Sequence, residues 1–131
     1  MDPHDLAAIA AVHGIELVVQ FGSSVTGATH AGSDVDLGIL LKDPPRSLAD
    51  HADLPAALQP AFPGRTIDVA WLNHADPLFL KQVTDGGVLL FGSPRRWQEF
   101  RLYAFKRYQD HRRFLQMERE YVDRAIASAR R

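Results

Sequence analysis

The chain has 131 residues, no cysteine and a formal net charge of −1. That length suits one domain able to bury roughly two-thirds of the surface its unfolded chain exposes, and the lack of cysteine excludes disulfides, thiolate metal sites and cysteine nucleophiles. The near-neutral sum hides a split: residues 94–131 carry 11 Lys and Arg against 5 Asp and Glu, and residues 1–93 carry 4 against 11, so a basic tail either meets nucleic acid or an acidic partner or lies on its own acidic body.

In chain order, Asp2-Pro3 and Gly14 bracket a helix over about residues 3–13. IELVVQF, Ile15 to Phe21, is short, β-branched and apolar, as a buried strand is. SDVDLGILLK supplies a second strand from about Asp34 to Lys42. Asp43-Pro44-Pro45 breaks the chain, and RSLADHADLPAALQPAF is mostly helical by composition despite Pro55. RTIDVAWL, Arg65 to Leu72, reads as a third strand. Asp76-Pro77 opens a helix to about Thr84, closed by Gly86-Gly87, before a short strand VLLFG. After Pro94 Gly and Pro are absent, and one long helix, broken at most once, is expected from about Arg95 to Ala129. Its Trp97, Phe100, Ala104, Tyr108, Leu115, Val122 and Ile126 form a near-heptad stripe longer than so small a body can cover, which favours a partner or a second copy at the far end. The reading is one α/β unit, residues 1–93, with a helical extension, residues 94–131. The N-terminus lacks a basic leader stretch, and no apolar run reaches the ~18 residues of a membrane span; a cytoplasmic location is expected.

On a strand, side chains alternate between faces, so Asp34 and Asp36 point one way while Val35 and Leu37 point the other. Leu37, Ile39 and Leu41 then form a core face. Two carboxylates ~7 Å apart at a sheet end repel each other and resist desolvation. Solvation at a strand mouth would answer this, and so would a divalent cation. Oxygen ligands alone select a hard ion such as Mg²⁺, which pairs a few carboxylates with substrate phosphates. Gly22-Ser23 follows directly on the first strand. Glycine admits a close approach of phosphate to the backbone, and the hydroxyl and free N–H groups of the next turn can bind its oxygens. Ser33 precedes the aspartates, and Gly27 and Gly32 permit a tight return.

Gly22-Ser23, ten residues, then Asp34-x-Asp36, all between two apolar strands, resembles the pattern of the nucleotidyltransferase superfamily that includes DNA polymerase beta. Asp68 in RTIDVAWL occupies the place of that family's third carboxylate. The resemblance implies a small polymerase beta-like fold with a mixed sheet of about four strands flanked by helices. With no appended substrate domain, and with its GVLLF strand and basic, tyrosine-bearing last helix, the chain is further similar to the minimal nucleotidyltransferases, the MntA antitoxins paired with HEPN-domain (HepT) toxins.

That resemblance implies an antitoxin that moves AMP from ATP to a tyrosine hydroxyl of a cognate HEPN ribonuclease. Asp34 and Asp36 would bind one Mg²⁺ on the triphosphate, Asp68 would join them on a second Mg²⁺ and help deprotonate the acceptor, and Gly22, Ser23 and Ser33 would hold the nucleotide. Arg95, Arg96, Arg101, Lys106, Arg107, Arg112 and Arg113, with Tyr103, Phe105 and Tyr108 as apolar anchors, would dock the toxin. Unlike many relatives, the turn Ser24-Val25-Thr26-Gly27 has no basic residue, which leaves metal, backbone and Arg65 or Lys81 to meet phosphate charge. Two other readings stay open: an antitoxin that masks its toxin without chemistry, and an adenylyltransferase of small molecules such as aminoglycosides. A nucleic-acid module is disfavoured by the acidic front. The six histidines are scattered; His30 alone lies in the loop between Ser23 and Asp34.

Overall fold

The structure, a computed structural model, describes residues 3–26, 34–43 and 52–130. Helix α1 (Pro3–His13) leads into strand β1 (Ile15–Phe21) through Gly14, whose positive φ of 66° makes the reversal. A single turn, α2 (Ser23–Thr26), follows β1, and β2 (Val35–Leu41) returns beside it. The helical expectation over the Pro55 region holds as α3 (Leu54–Leu58) and a 3-10 turn (Gln59–Ala61). Pro55 sits in the first turn of α3, where it displaces no hydrogen bond; residues 44–51 lie outside the described residues. β3 (Ile67–Trp71), α4 (Pro77–Gly86), β4 (Val88–Phe91) and α5 (Pro94–Ala129) complete the chain.

Two helix starts follow from capping. Asp76 accepts a hydrogen bond from the Phe79 N–H at 2.9 Å, and Ser93 accepts one from the Arg96 N–H at 3.0 Å, each with proline in the first turn. α4 runs two residues beyond its expected end at Thr84. Its last turn bonds Thr84 Oγ1 back to the Leu80 carbonyl at 2.8 Å, and Gly87 takes an extended conformation into β4. α5 is continuous over 36 residues, without the break that the sequence allowed.

The strands form one mixed sheet in the order β3-β2-β1-β4. β1 is antiparallel to β2 and β4, whereas β2 and β3 run parallel, with Val35 opposite Ile67 and Ile39 opposite Trp71. The Asn73 side chain extends the β2–β3 pairing by a rung, accepting from the Leu41 N–H at 2.9 Å and donating to its carbonyl at 3.0 Å.

Each sheet face has its own core, which makes three layers. On one, Val35, Leu37, Ile39 and Leu41 pack with Val18, Ile67 and residues of α1 and α3. On the other, Leu17, Val19, Phe21, Leu40 and Leu72 meet Leu80 and Val83 of α4 and Trp97, Phe100 and Ala104 of α5. Burying side chains of this size contributes about 1.5–3 kcal/mol each before entropy is counted. Trp71 faces the first core, as its spacing from Asp68 requires. Among the described residues, no helix is long and apolar enough to cross a membrane.

Candidate active site

The alternation that sends Leu37 and Ile39 into the first core sends Asp36, Gly38 and Leu40 to the α4/α5 face. On β3, Ile67 and Val69 pack on the first core while Ala70 and Leu72 join the second, so Asp68 shares the face of Asp36. The parallel register sets Asp36 directly opposite Asp68. Asp34 precedes β2 by one residue and lies two before Asp36. The geometry thus brings Asp36 and Asp68 together on one sheet face, with Asp34 at the same end of β2.

Their mutual effect is electrostatic. The Asp36 carboxyl is raised above its ordinary value, first by burial, then by the charge of Asp68, then by that of Asp34. Asp34 and Asp68 are exposed, and Asp36 is half-buried. Among the described residues, no three acidic or histidine side chains are gathered closely enough to form a ready-made metal cage. The donor set nevertheless fits a hard divalent cation: the ligands are all oxygens, and the like charges at Asp36 are of the kind such an ion neutralises.

Gly22 closes the other side. Its φ is 79°, and a Cβ built on it would stand 2.5 Å from Asp36 Oδ2. Glycine here clears space for the Asp36 carboxylate as well as permitting the backbone turn. Sequence reasoning gave Gly22 a phosphate role; the contact with Asp36 was invisible to it, because β1 and β2 meet only through the sheet register, Phe21 opposite Asp36. Ser23 is exposed and begins α2, and the Val25 N–H returns to the Gly22 carbonyl at 3.2 Å. Ser33, His30, Gly27 and Gly32 lie outside the described residues.

The two candidate cations sit differently. Arg65 stands in the turn that enters β3, at the carboxylate end, where the Val35 N–H bonds the Thr66 carbonyl at 2.8 Å. Lys81 on α4 is paired with Asp85 and lies 5.0 Å from the centroid of the Tyr108 ring. Its hydrogen bond to Asp85 raises its pKa, against a smaller lowering by burial. An unrelated groove of about 580 Å³, lined in part by Ile15, Lys42, Phe91 and Arg96, opens at the opposite end of β1.

Comparison with known proteins agrees with this layout. No curated protein matches the chain in sequence. Among solved structures, the chain is similar to a toxin–antitoxin crystallised with AMP-PNP, with a TM-score of 0.71 at 22% identity over 97% of this chain and 99% of that one. It is also similar to a chain in the complex of tri-AMPylated Shewanella oneidensis HEPN toxin with its MNT antitoxin, with a TM-score of 0.65 at 20% identity over 95% of each chain. A third, from the toxin–antitoxin MntA-HepT, gives a TM-score of 0.64 at 21% identity over 95% of this chain and 96% of that one. At such identities the likeness is one of fold. The family model for polymerase beta nucleotidyltransferases, however, matches residues 5–96, which span all four strands and the three aspartates, and the chain therefore belongs to the polymerase beta nucleotidyltransferase family.

Proposed function

We propose that the protein is an antitoxin that transfers AMP from ATP to a tyrosine hydroxyl of a cognate HEPN ribonuclease toxin and thereby silences it. The observation that carries the reading is Asp36 set opposite Asp68 beside Gly22, with its carboxyl raised by burial and then by both neighbouring aspartates. In this reading residues 1–93 carry the chemistry and residues 94–131 meet the toxin. The similar chains named above, in complex with HEPN toxin and in a structure with AMP-PNP, support the choice of partner and nucleotide.

Asp34, Asp36 and Asp68 would hold Mg²⁺, which when bound neutralises the charge on the triphosphate and on the attacking oxygen. Gly22 admits the triphosphate to the backbone, and Ser23 with the first N–H groups of α2 holds its oxygens. Asp68, exposed at the sheet end, takes the proton of the incoming hydroxyl. The hydroxyl oxygen then bonds to the α-phosphorus, the bond from that phosphorus to the bridging oxygen breaks, and pyrophosphate leaves. Arg65, at the same end of β3, is placed to meet phosphate charge.

The test is to incubate the toxin with ATP, Mg²⁺ and substoichiometric antitoxin and to weigh the toxin. An added AMP mass on more toxin than there is antitoxin, lost in Asp34→Asn/Asp36→Asn, is the expected result; pyrophosphate release that survives the double substitution would refute it. A masking antitoxin without chemistry is the second reading. It is favoured by the absence of any Lys or Arg from Phe21 to Leu41, and it predicts inhibition in strict proportion with no mass change.

A further inference from the structure

α5 starts at one end of the sheet and runs out past the other. Its first turn is tied to the start of β1 by the Arg96–Glu16 ion pair, and Gly92, just before its cap, lies against Leu17. Trp97, Phe100 and Ala104 are then buried on the sheet face that bears Asp36 and Asp68. Tyr108 meets Lys81 of α4, two residues from Phe79, whose ring packs edge-on against Phe21 with centroids 5.6 Å apart. Phe21 is the β1 residue opposite Asp36. The helix has by then reached the carboxylate end, and it continues to Ala129, about 30 Å further at 1.5 Å per residue.

Every residue from Arg112 to Arg130 is exposed. At 100° per residue, Leu115, Val122 and Ile126 fall in the same sector as Trp97 and Ala104, the sector turned toward the sheet face. They are 47, 46 and 46% exposed. Among the described residues, the apolar sector that seats α5 on the sheet thus resumes beyond the body at Leu115, Val122 and Ile126, on the side and at the end where the aspartates stand. Phe114, Met117 and Tyr121 form a separate exposed set about 120° around the helix. Between residues 109 and 130 five arginines face four acids, so apolar contact rather than net charge is what this overhang offers; the basic excess sits on the half already packed on the body.

We propose that the stripe of Leu115, Val122 and Ile126 is the docking wall for the acceptor protein, and that this contact presents the acceptor to Asp34, Asp36 and Asp68. The proposal rests on the nucleotidyl-transfer reading above. The occupant is a protein with an apolar helical surface that takes anchors at i, i+7 and i+11, in the manner of a helix laid in a groove. Recognition and positioning are then one contact, and a protein acceptor is selected over a small hydroxyl compound because only the protein reaches both the wall and the carboxylates.

The test uses the full chain carrying Leu115→Glu/Val122→Glu, with Phe114→Glu/Met117→Glu as comparator. Binding to the HEPN-domain protein is measured by calorimetry, and transfer by mass. The first pair is expected to weaken binding at least about tenfold and to raise the acceptor KM in step with kcat kept; the second pair changes binding less than about twofold. Circular dichroism checks that both keep the helix. Unchanged binding and KM in the first pair, loss confined to the second, or loss of self-association by the first pair would each overturn the proposal. Wild-type protein that binds through the stripe yet transfers nothing would uphold the wall and sink the transfer reading instead.

Discussion

Gly22→Ala separates two uses of one glycine. At φ 79° any side chain adds backbone strain of about 1–2 kcal/mol, enough to lower Tm by roughly 3–10 °C in a chain of this size. The new methyl would also stand 2.5 Å from Asp36 Oδ2, against an ordinary non-bonded separation of about 3.5 Å. The carboxylate must therefore retreat by about 1 Å, and a misplacement of that size can cost about 10²-fold in rate. Gly14→Ala is the matched control: its φ is 66°, and nothing lies within 4 Å of the built Cβ. Both variants are expected to lose similar thermal stability, measured by calorimetry without nucleotide. Only Gly22→Ala should lose pyrophosphate release, by about two orders of magnitude. If the two variants turn over alike, Gly22 does not position Asp36 and the steric argument fails.

Other expectations follow from burial and charge. Because the folded Asp36 carboxyl is raised above 3.8, ionising it costs more in the folded state than in the unfolded one. Its contribution to stability is therefore fully present below that pH and lost as pH rises through the folded value. Asp36→Asn should consequently melt higher than wild type at pH 7 without divalent ions, with the gap closing near pH 3; a lower melt at pH 7 would contradict the assignment. Added Mg²⁺ should raise the melt of wild type and leave Asp36→Asn unmoved, which thermal scans with and without EDTA would read. Asn73→Ala removes both partners of the Leu41 peptide and should cost about 1–3 kcal/mol in urea unfolding, with transfer activity kept, since Leu41 is at the far end of β2 from Asp36. Ending the chain after His111 removes a segment whose described residues, 112–130, are all exposed and should change unfolding free energy by less than about 1 kcal/mol; a larger loss would mean that the overhang supports the body.

Much of the fold was legible because its signals are local. IELVVQF and VDLGILL are apolar and β-branched between glycine and turn residues, and Asp76-Pro77 marks the start of α4. The faces of Asp36 and Leu37 also follow from sequence, since strand alternation depends on nothing beyond the strand itself; Asp34 stands one residue before β2, where alternation no longer fixes a face. The α5 stripe was read correctly as a period, but periodicity carries no information about where the body ends. Of its seven residues, Trp97, Phe100 and Ala104 are buried, Tyr108 is half-buried, and Leu115, Val122 and Ile126 are exposed.

Residue types, spacing and the two faces of β2 were determined by the sequence, since each rests on neighbours within a few positions. The tertiary structure alone decided that Asp68 stands opposite Asp36, that Gly22 must lack a side chain for the Asp36 carboxylate to fit, and that α5 leaves the sheet at the carboxylate end. Each of these depends on the register between strands distant in the chain, which backbone pairing and core packing set together and no local pattern encodes.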